Sequence, residues 1–264
     1  MDIEGIAEEA LAALRGARQI APFSSRDPAF DLAAAYQVTA AVRRLREAAG
    51  ERPVGRKIGF TNRTIWAQYG VYAPMWGDVY DSTLAPLDAP FALAGLCEPR
   101  IEPEIVFGLS RAPTPDMDEP ALLGCVDWVA HGFEIVQSIF PGWRITGADA
   151  VAGLGMHGAL LIGERHPGQA GGDWLRTLSS FSIELKRNGD VVDRGQASNV
   201  LDGPLSALRH LVGVLADDPV NPPLAAGEIV TTGTLTRAFS IVAGETWGTQ
   251  LAGVALGPIS VTLA

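Results

Sequence analysis

The chain has 264 residues, 47% hydrophobic and 19% charged, so it carries enough apolar content to bury a core and too much to stay disordered. Its formal net charge of −10 and sequence pI of about 4.8 argue against a nucleic-acid or anionic-membrane surface, which needs clustered Lys and Arg. No apolar run approaches the roughly 20 residues of a membrane-spanning helix, so a small-molecule or protein partner is expected, with no nucleic acid and no membrane.

In chain order, "MDIEGIAEEALAALRGARQI" is acidic early and lacks a positive flank before an apolar core, so it does not read as a secretory signal. Ile3, Ile6, Ala10, Leu11 and Leu14 recur at helical spacing. "DLAAAYQVTAAVRRLREAAG" repeats the pattern, with Arg43, Arg44 and Arg46 near its end and Gly50 as a stop signal. The first ~50 residues therefore read as two helices. Cys97 and Cys125 are far apart and belong to no CxxC or Cys/His cluster, which fits a reducing, cytoplasmic setting without a disulfide framework or zinc site.

From Arg52 onward short apolar runs are cut by Gly and Pro, the punctuation of a β-rich body. "IELKRNGDVVDRG" is the clearest local element, because Asn188-Gly189 between alternating segments signals a hairpin. Helices are expected to return over 119–140 and over 204–216. These readings give an α+β protein with a helical N-terminal part at residues 1–80 and a β-rich domain at 81–264.

Within "EPRIEPEIVFGL", the period of 2 puts Glu102 and Glu104 on one face of a strand, about 6 to 7 Å apart along the backbone. Unpaired buried charge is costly, so this face is either solvated or holds a cation, and a hard divalent ion suits oxygen ligands. Glu134, in "HGFEIVQSIF", could complete a facial set of carboxylates or lie on a helix surface. Lys57, in "GRKIGF", sits between apolar residues and glycines, where burial or a nearby cation would lower its pKa and suit it to proton transfer. The bland alternative is a lysine on a strand edge.

"GLGMHG" at 153–158 is a literal GxGxxG, but a strand rather than a helix follows it, so it does not read as a dinucleotide fingerprint. His157 within it is either an acid, base or substrate contact or a structural residue. His131 is placed on the expected 119–140 helix. Neither histidine has a GxSxG serine or a cysteine to activate. "TTGTLT" at 231–236 offers hydroxyls and amides for a carboxylate, or else a plain strand-to-turn junction.

The ordered set "KIGFTNRTIWAQYGVYAPMWGDVYDSTL", "PRIEPEIVFGL", "FEIVQSI", "DAVAGLGMHGALLIG", "GEIVTTGTLT" and "GPISVTL" resembles the 2-keto-4-pentenoate hydratase and 4-oxalocrotonate decarboxylase group of the fumarylacetoacetate hydrolase superfamily. The resemblance spans nearly the whole chain and implies a mixed β-sandwich roll with a small helical N-terminal part. It implies that Glu102, Glu104 and Glu134 hold Mg²⁺ or Mn²⁺ and that Lys57 moves protons, and His157, which lies outside the group's pattern, is expected to help Lys57. It further implies that Thr232, Gly233 and Asp78 contact substrate. The implied activity is that of a metal-dependent lyase of aromatic-compound catabolism that hydrates a 2-hydroxy-2,4-dienoate. A decarboxylase of a 2-oxo-3-enedioate is the alternative. An implied homo-oligomer finds support in apolar segments that look exposed, such as "IFPGW" at 139–143, and association with other pathway enzymes is a further expectation.

The chain departs from the group's pattern at two places. Gln137 stands where an acid usually follows the third Glu, and Gly153, Leu154, Met156 and His157 replace polar pocket residues, which favours a less polar or differently shaped substrate. A hydrolase acting on acylpyruvates would need a base on a mobile N-terminal segment, and no His precedes His131. A non-catalytic keto-acid binder is a third reading, which gains if Lys57 points to solvent.

Overall fold

The computed structural model describes residues 1–69, 71–168 and 173–264. Its helices are α1 (Ile3–Arg15), α2 (Phe23–Arg26), α3 (Leu32–Ala48), α4 (Trp66–Tyr69), α5 (Glu119–Leu123), α6 (Gly147–Ala152), α7 (Trp174–Thr177) and α8 (Pro204–Ala216). Its strands are β1 (Pro53–Gly59), β2 (Met75–Tyr80), β3 (Leu84–Ala85), β4 (Arg100–Leu109), β5 (Val126–Val136), β6 (His157–Pro167), β7 (Ser182–Arg187), β8 (Asp190–Gln196), β9 (Ile229–Thr231), β10 (Phe239–Ser240), β11 (Thr246–Ala252) and β12 (Ser260–Thr262). No described helix is long and apolar enough to cross a membrane.

Asp2 and Asp31 cap α1 and α3 by accepting from the amides of Gly5 and Ala34, which satisfies otherwise orphaned N–H groups. Small side chains, Ala7, Ala10 and Ala13 on α1 and Ala35 and Ala41 on α3, let these helices approach closely, and their buried face continues into α6 through Val151 and Ala152. Asp149 ties this layer together by accepting from the Ser24 amide at 2.9 Å and from the Thr146 hydroxyl at 2.8 Å.

An eight-stranded mixed sheet runs in the order β2-β1-β9-β4-β5-β6-β3, with β10 beside β4, and faces a four-stranded sheet ordered β12-β11-β7-β8. This is the α+β roll that the sequence leads one to expect. The Asn188-Gly189 hairpin joins β7 to β8 as read. Residue 80 marks no break, because β1 and β2 are hydrogen-bonded into the large sheet and only the segment before Pro53 is purely helical.

The expected 119–140 helix is corrected. Only Glu119–Leu123 is helical, and Val126–Val136 is the fifth strand, paired with β4 and β6 along its length. Both of its faces are buried, so its apolar run shows no period of 2 and cannot be told from a buried helix by pattern. His131 is therefore a strand residue. The segment 139–143 is corrected in part, because Ile139 and Phe140 are buried under the N-terminal helices, whereas Pro141 and Gly142 are exposed and Trp143 is half-buried.

Candidate active site

Strands β4 and β5 are antiparallel, and their register sets Glu102 directly opposite Glu134 and Glu104 opposite Gly132. Directly opposed residues project to the same face. Glu102, Glu104 and Glu134 thus converge, each offering an oxygen within 4.8 Å of the others. Glu104 and Glu134 are wholly buried and Glu102 is partly so. Gly132 leaves this face open where a Cβ would come within 2.7 Å of the Leu161 carbonyl.

The oxygens are unequally satisfied. Glu104 Oε2 accepts from the Gly233 amide at 2.7 Å and from the Thr231 hydroxyl, while its Oε1 is buried with no hydrogen-bond partner. Glu134 Oε1 lies 2.8 Å from His157 Nδ1. Glu134 Oε2 is paired with the Lys57 ammonium, whose Nζ lies 3.1 Å away.

Three carboxylates in so small a space resist shared ionisation. Burial pushes Glu102 up to about 7, with Lys57 opposing and Glu134 adding to the rise. Burial and the two neighbouring carboxylates raise Glu104 well above its ordinary value. Burial acts the same way on Glu134, but Lys57 and His157 outweigh it and hold it below the usual range. For Lys57, burial alone would lower the pKa, yet Glu134, Glu102 and Glu104 together raise it. The three carboxylates thereby reverse the expected downward shift. A hard divalent cation fits this donor set, because all three groups offer oxygen, Glu104 Oε1 is buried without a partner, and the like charges need a counter-ion.

Lys57 and Glu102 line a cavity of about 480 Å³, with Glu104 and Glu134 grouped beside Glu102. Apolar side chains, among them Met75, Val136, Trp143, Ile145 and Met156, make much of its wall. The turn 154–156 forms part of that wall with three successive left-handed residues, at φ 59° for Leu154, 65° for Gly155 and 63° for Met156. A Cβ on Gly155 would come within 3.0 Å of Lys57 Cδ and 3.2 Å of Gly77 Cα, so glycine lets the turn press on the Lys57 stem. The GxGxxG string has this packing role, between α6 and β6. Gly233, at φ 99°, leaves no room for a side chain, since its Cβ would come within 2.1 Å of Thr61 Oγ1.

Of the residues read from sequence, Lys57, Glu102, Glu104, Glu134, His157 and Gly233 are brought together. Thr232 is buried and turns its hydroxyl to the Ile105 carbonyl at 3.0 Å, while its neighbour Thr231 reaches Glu104. Asp78 does not join them. Along β1 and β2, Arg56 pairs with Asp78 and Lys57 with Gly77, so Asp78 projects from the sheet face opposite Lys57. There it is buried in ion pairs with Arg43 at 2.6 Å and Arg56 at 3.1 Å, which corrects the expected substrate contact. Gln137 is structural, its side-chain oxygen accepting from the Cys97 amide at 3.2 Å.

Sequence reasoning missed Thr83 and Arg100, and within the 231–236 stretch it took up Thr232 where Thr231 makes the contact. Thr83 lies 2.9 Å from His157 Nε2, a contact 74 positions away in sequence that no pattern announces. Arg100 was legible, since the period of 2 that aligns Glu102 with Glu104 includes it.

No protein-family model matches the chain. Among curated proteins, it is 32% identical over 253 residues to a 2-hydroxyhexa-2,4-dienoate hydratase of Comamonas testosteroni, covering 95% of this chain and 94% of the relative. It is 34% identical over 266 residues to a 2-keto-4-pentenoate hydratase of Dechloromonas aromatica, covering 98% of each. Among solved structures it resembles the 4-oxalocrotonate decarboxylase of Pseudomonas putida G7, complexed with magnesium and adipate, with a TM-score of 0.90, 25% identity, and coverage of 99% of this chain and 97% of that one.

Proposed function

The chain belongs to the 2-keto-4-pentenoate hydratase and 4-oxalocrotonate decarboxylase group of the fumarylacetoacetate hydrolase superfamily, and on that premise we propose a divalent-metal-dependent lyase that hydrates a short 2-hydroxy-2,4-dienoate in aromatic-compound catabolism. The observation that carries this reading is the convergence of Glu102, Glu104 and Glu134 on one another, with Glu102 and Lys57 lining a cavity and the Lys57 ammonium 3.1 Å from Glu134. In the non-catalytic alternative Lys57 would point to solvent, and it is buried.

Glu102, Glu104 and Glu134 would hold Mg²⁺ or Mn²⁺. Such an ion would supply a Lewis acid that stabilises negative charge developing on the substrate's 2-keto oxygen. The remaining steps are proton transfers by the chain. The dienol loses its hydroxyl proton and gains one at C5, giving a 3-en-2-one. Water then adds its oxygen at C4 and a proton at C3. Lys57, buried 3.1 Å from Glu134, would act as the acid/base group, giving protons at C5 and C3 and taking back those released by the hydroxyl and by water, with Glu134 orienting it. His157, fixed by Thr83, positions Glu134 from the other side.

Decarboxylation of a 2-oxo-3-enedioate is the second reading, favoured by the likeness in fold to the decarboxylase. There the keto group accepts the electron pair released as CO₂ departs. The test is Mg²⁺- or Mn²⁺-dependent loss of ultraviolet absorbance from 2-hydroxypenta-2,4-dienoate, run beside 2-oxohex-3-enedioate and an acylpyruvate. Turnover of the dienoate supports hydration, turnover of the enedioate alone reassigns the chain as a decarboxylase, and silence on both with chelator-insensitive behaviour rejects the lyase. A homo-oligomer is the expected assembly, checked by light scattering, although the buried Ile139 and Phe140 lend it no support.

A further inference from the structure

His157 is one of the places where the chain departs from the group's pattern, and the sheet is built to aim it. β6 begins at His157, and its pairing with β5 runs Glu134 to Leu160, Ile135 to Ala159 and then Val136 to His157. Gly158 is the extra residue of a β-bulge at this step. In an unbroken ladder His157 would fall on the sheet face away from Glu134, whereas opposite Val136 it shares the face of Glu134. Glycine suits the bulge, because a Cβ there would come within 2.7 Å of the Ile135 carbonyl oxygen. The imidazole so aimed is buried, with Nδ1 2.8 Å from Glu134 Oε1 and Nε2 2.9 Å from the Thr83 hydroxyl. Thr83 is brought there by β3, which pairs with β6 through Leu84 and Leu160. Its hydroxyl is itself fixed by the Tyr80 carbonyl at 2.9 Å, and Pro53, which faces Tyr80 across β1 and β2, has no N–H to offer that carbonyl.

The two wholly buried carboxylates are thereby each left with one open oxygen. Glu104 Oε2 is engaged by the Gly233 amide at 2.7 Å and by the Thr231 hydroxyl, which leaves Oε1. Glu134 Oε1 is engaged by His157, which leaves Oε2 beside Lys57. Cations differ in how they meet such a restriction. Ca²⁺ takes about six to eight oxygens in flexible geometry and often draws on both oxygens of a carboxylate, whereas Mg²⁺ takes about six, in near-ideal octahedral geometry, and fills its shell with waters.

We propose that His157, anchored by Thr83, is a positioning residue that holds Glu134 to one open oxygen and so makes the carboxylate site select Mg²⁺ over Ca²⁺. The inference rests on the lyase reading only for taking Glu102, Glu104 and Glu134 as the metal site.

The test is Mn²⁺ binding to the metal-free protein, read from the electron paramagnetic resonance signal of free Mn²⁺, with Mg²⁺ and Ca²⁺ as competitors. The wild type is expected to bind Mg²⁺ more tightly than Ca²⁺. His157→Phe, which keeps a ring but no N–H, frees Oε1 of Glu134 and should lower that preference about 10-fold, and His157→Gln, whose amide can still donate, should restore part of it. Thr83→Val removes the anchor from a residue that does not line the cavity and should lower the preference in the same direction, with Thr83→Ser restoring it. Thermal unfolding in chelator checks that each variant keeps its fold, and the Thr83 pair carries the test if His157→Phe does not fold. A preference unchanged in His157→Phe and Thr83→Val overturns the inference. So does an equal loss of both ions in these variants, which is what a merely structural role would give, and so does a wild type that prefers Ca²⁺. A wild type that binds no divalent ion overturns it together with the metal-dependent lyase. Silence in the turnover assays, with the Mg²⁺ preference intact and dependent on His157, rejects the reaction and leaves the inference standing.

Discussion

Replacing Glu104 by Gln tests the carboxylate triad at its most constrained member. Oε2 of Glu104 accepts from the Gly233 amide and the Thr231 hydroxyl, whereas Oε1 is buried without a partner. In the glutamine the carbonyl oxygen must take those two donors, because an amide nitrogen accepts nothing. The NH₂ group then occupies the place of Oε1 and points an N–H toward the cation site, where a charge has also been lost. Metal affinity should fall at least 100-fold. At a free metal concentration of 100 Kd the wild type gains about 2.7 kcal/mol from the ion, and a variant bound 100-fold more weakly gains only about 0.4 kcal/mol. That difference, about 2.3 kcal/mol, corresponds to a metal-induced rise in Tm smaller by roughly 5 to 9 °C in a chain of this size. The metal-free variant should unfold no earlier than the metal-free wild type, since the substitution removes a buried carboxyl whose ionisation its neighbours oppose. Scanning calorimetry in chelator and in Mn²⁺, with titration calorimetry for the affinity, reads both effects. A variant that keeps the full metal-induced rise in Tm and full turnover refutes the assignment of the triad.

Lys57→Met should lower kcat by about 10²- to 10⁴-fold, the usual size of a lost general acid or base, without weakening Mn²⁺ binding; parallel kinetics and calorimetry separate the two. Gly155→Ala adds a Cβ 3.0 Å from Lys57 Cδ at a left-handed position. It should cost about 1 to 3 kcal/mol in denaturant-measured stability and lower kcat through the displaced lysine. His131 is buried with neither ring nitrogen hydrogen-bonded, and burial lowers its pKa to about 3. An unfolded histidine titrates near 6.5, so its contribution is fully present above that pH and is lost as pH falls from 6.5 toward 3. Between pH 7.5 and 5 the stability of the wild type relative to His131→Leu should drop by about 2 kcal/mol. An identical pH dependence in the two proteins would show that His131 is not held neutral.

What the sequence determines by itself here is local and periodic. The N-terminal helices follow from apolar spacing and Asp caps, the β7–β8 hairpin from Asn188-Gly189, and the shared face of Glu102 and Glu104 from the pleat of a strand. Local pattern is silent where a segment is buried on every side. Val126–Val136 reads equally as helix or strand, and only its pairing with β4 and β6 decides. That pairing is what turns Glu134 from a helix-surface residue into the partner of Glu102. The tertiary structure likewise decided that Asp78 faces away from Lys57, because which side of a sheet faces the cavity is set by the layers packed on it and not by the strand's own residues. It also reversed the expected pKa shift of Lys57, since the carboxylates that outweigh its burial arrive from β4 and β5, remote in sequence and brought near only by the sheet.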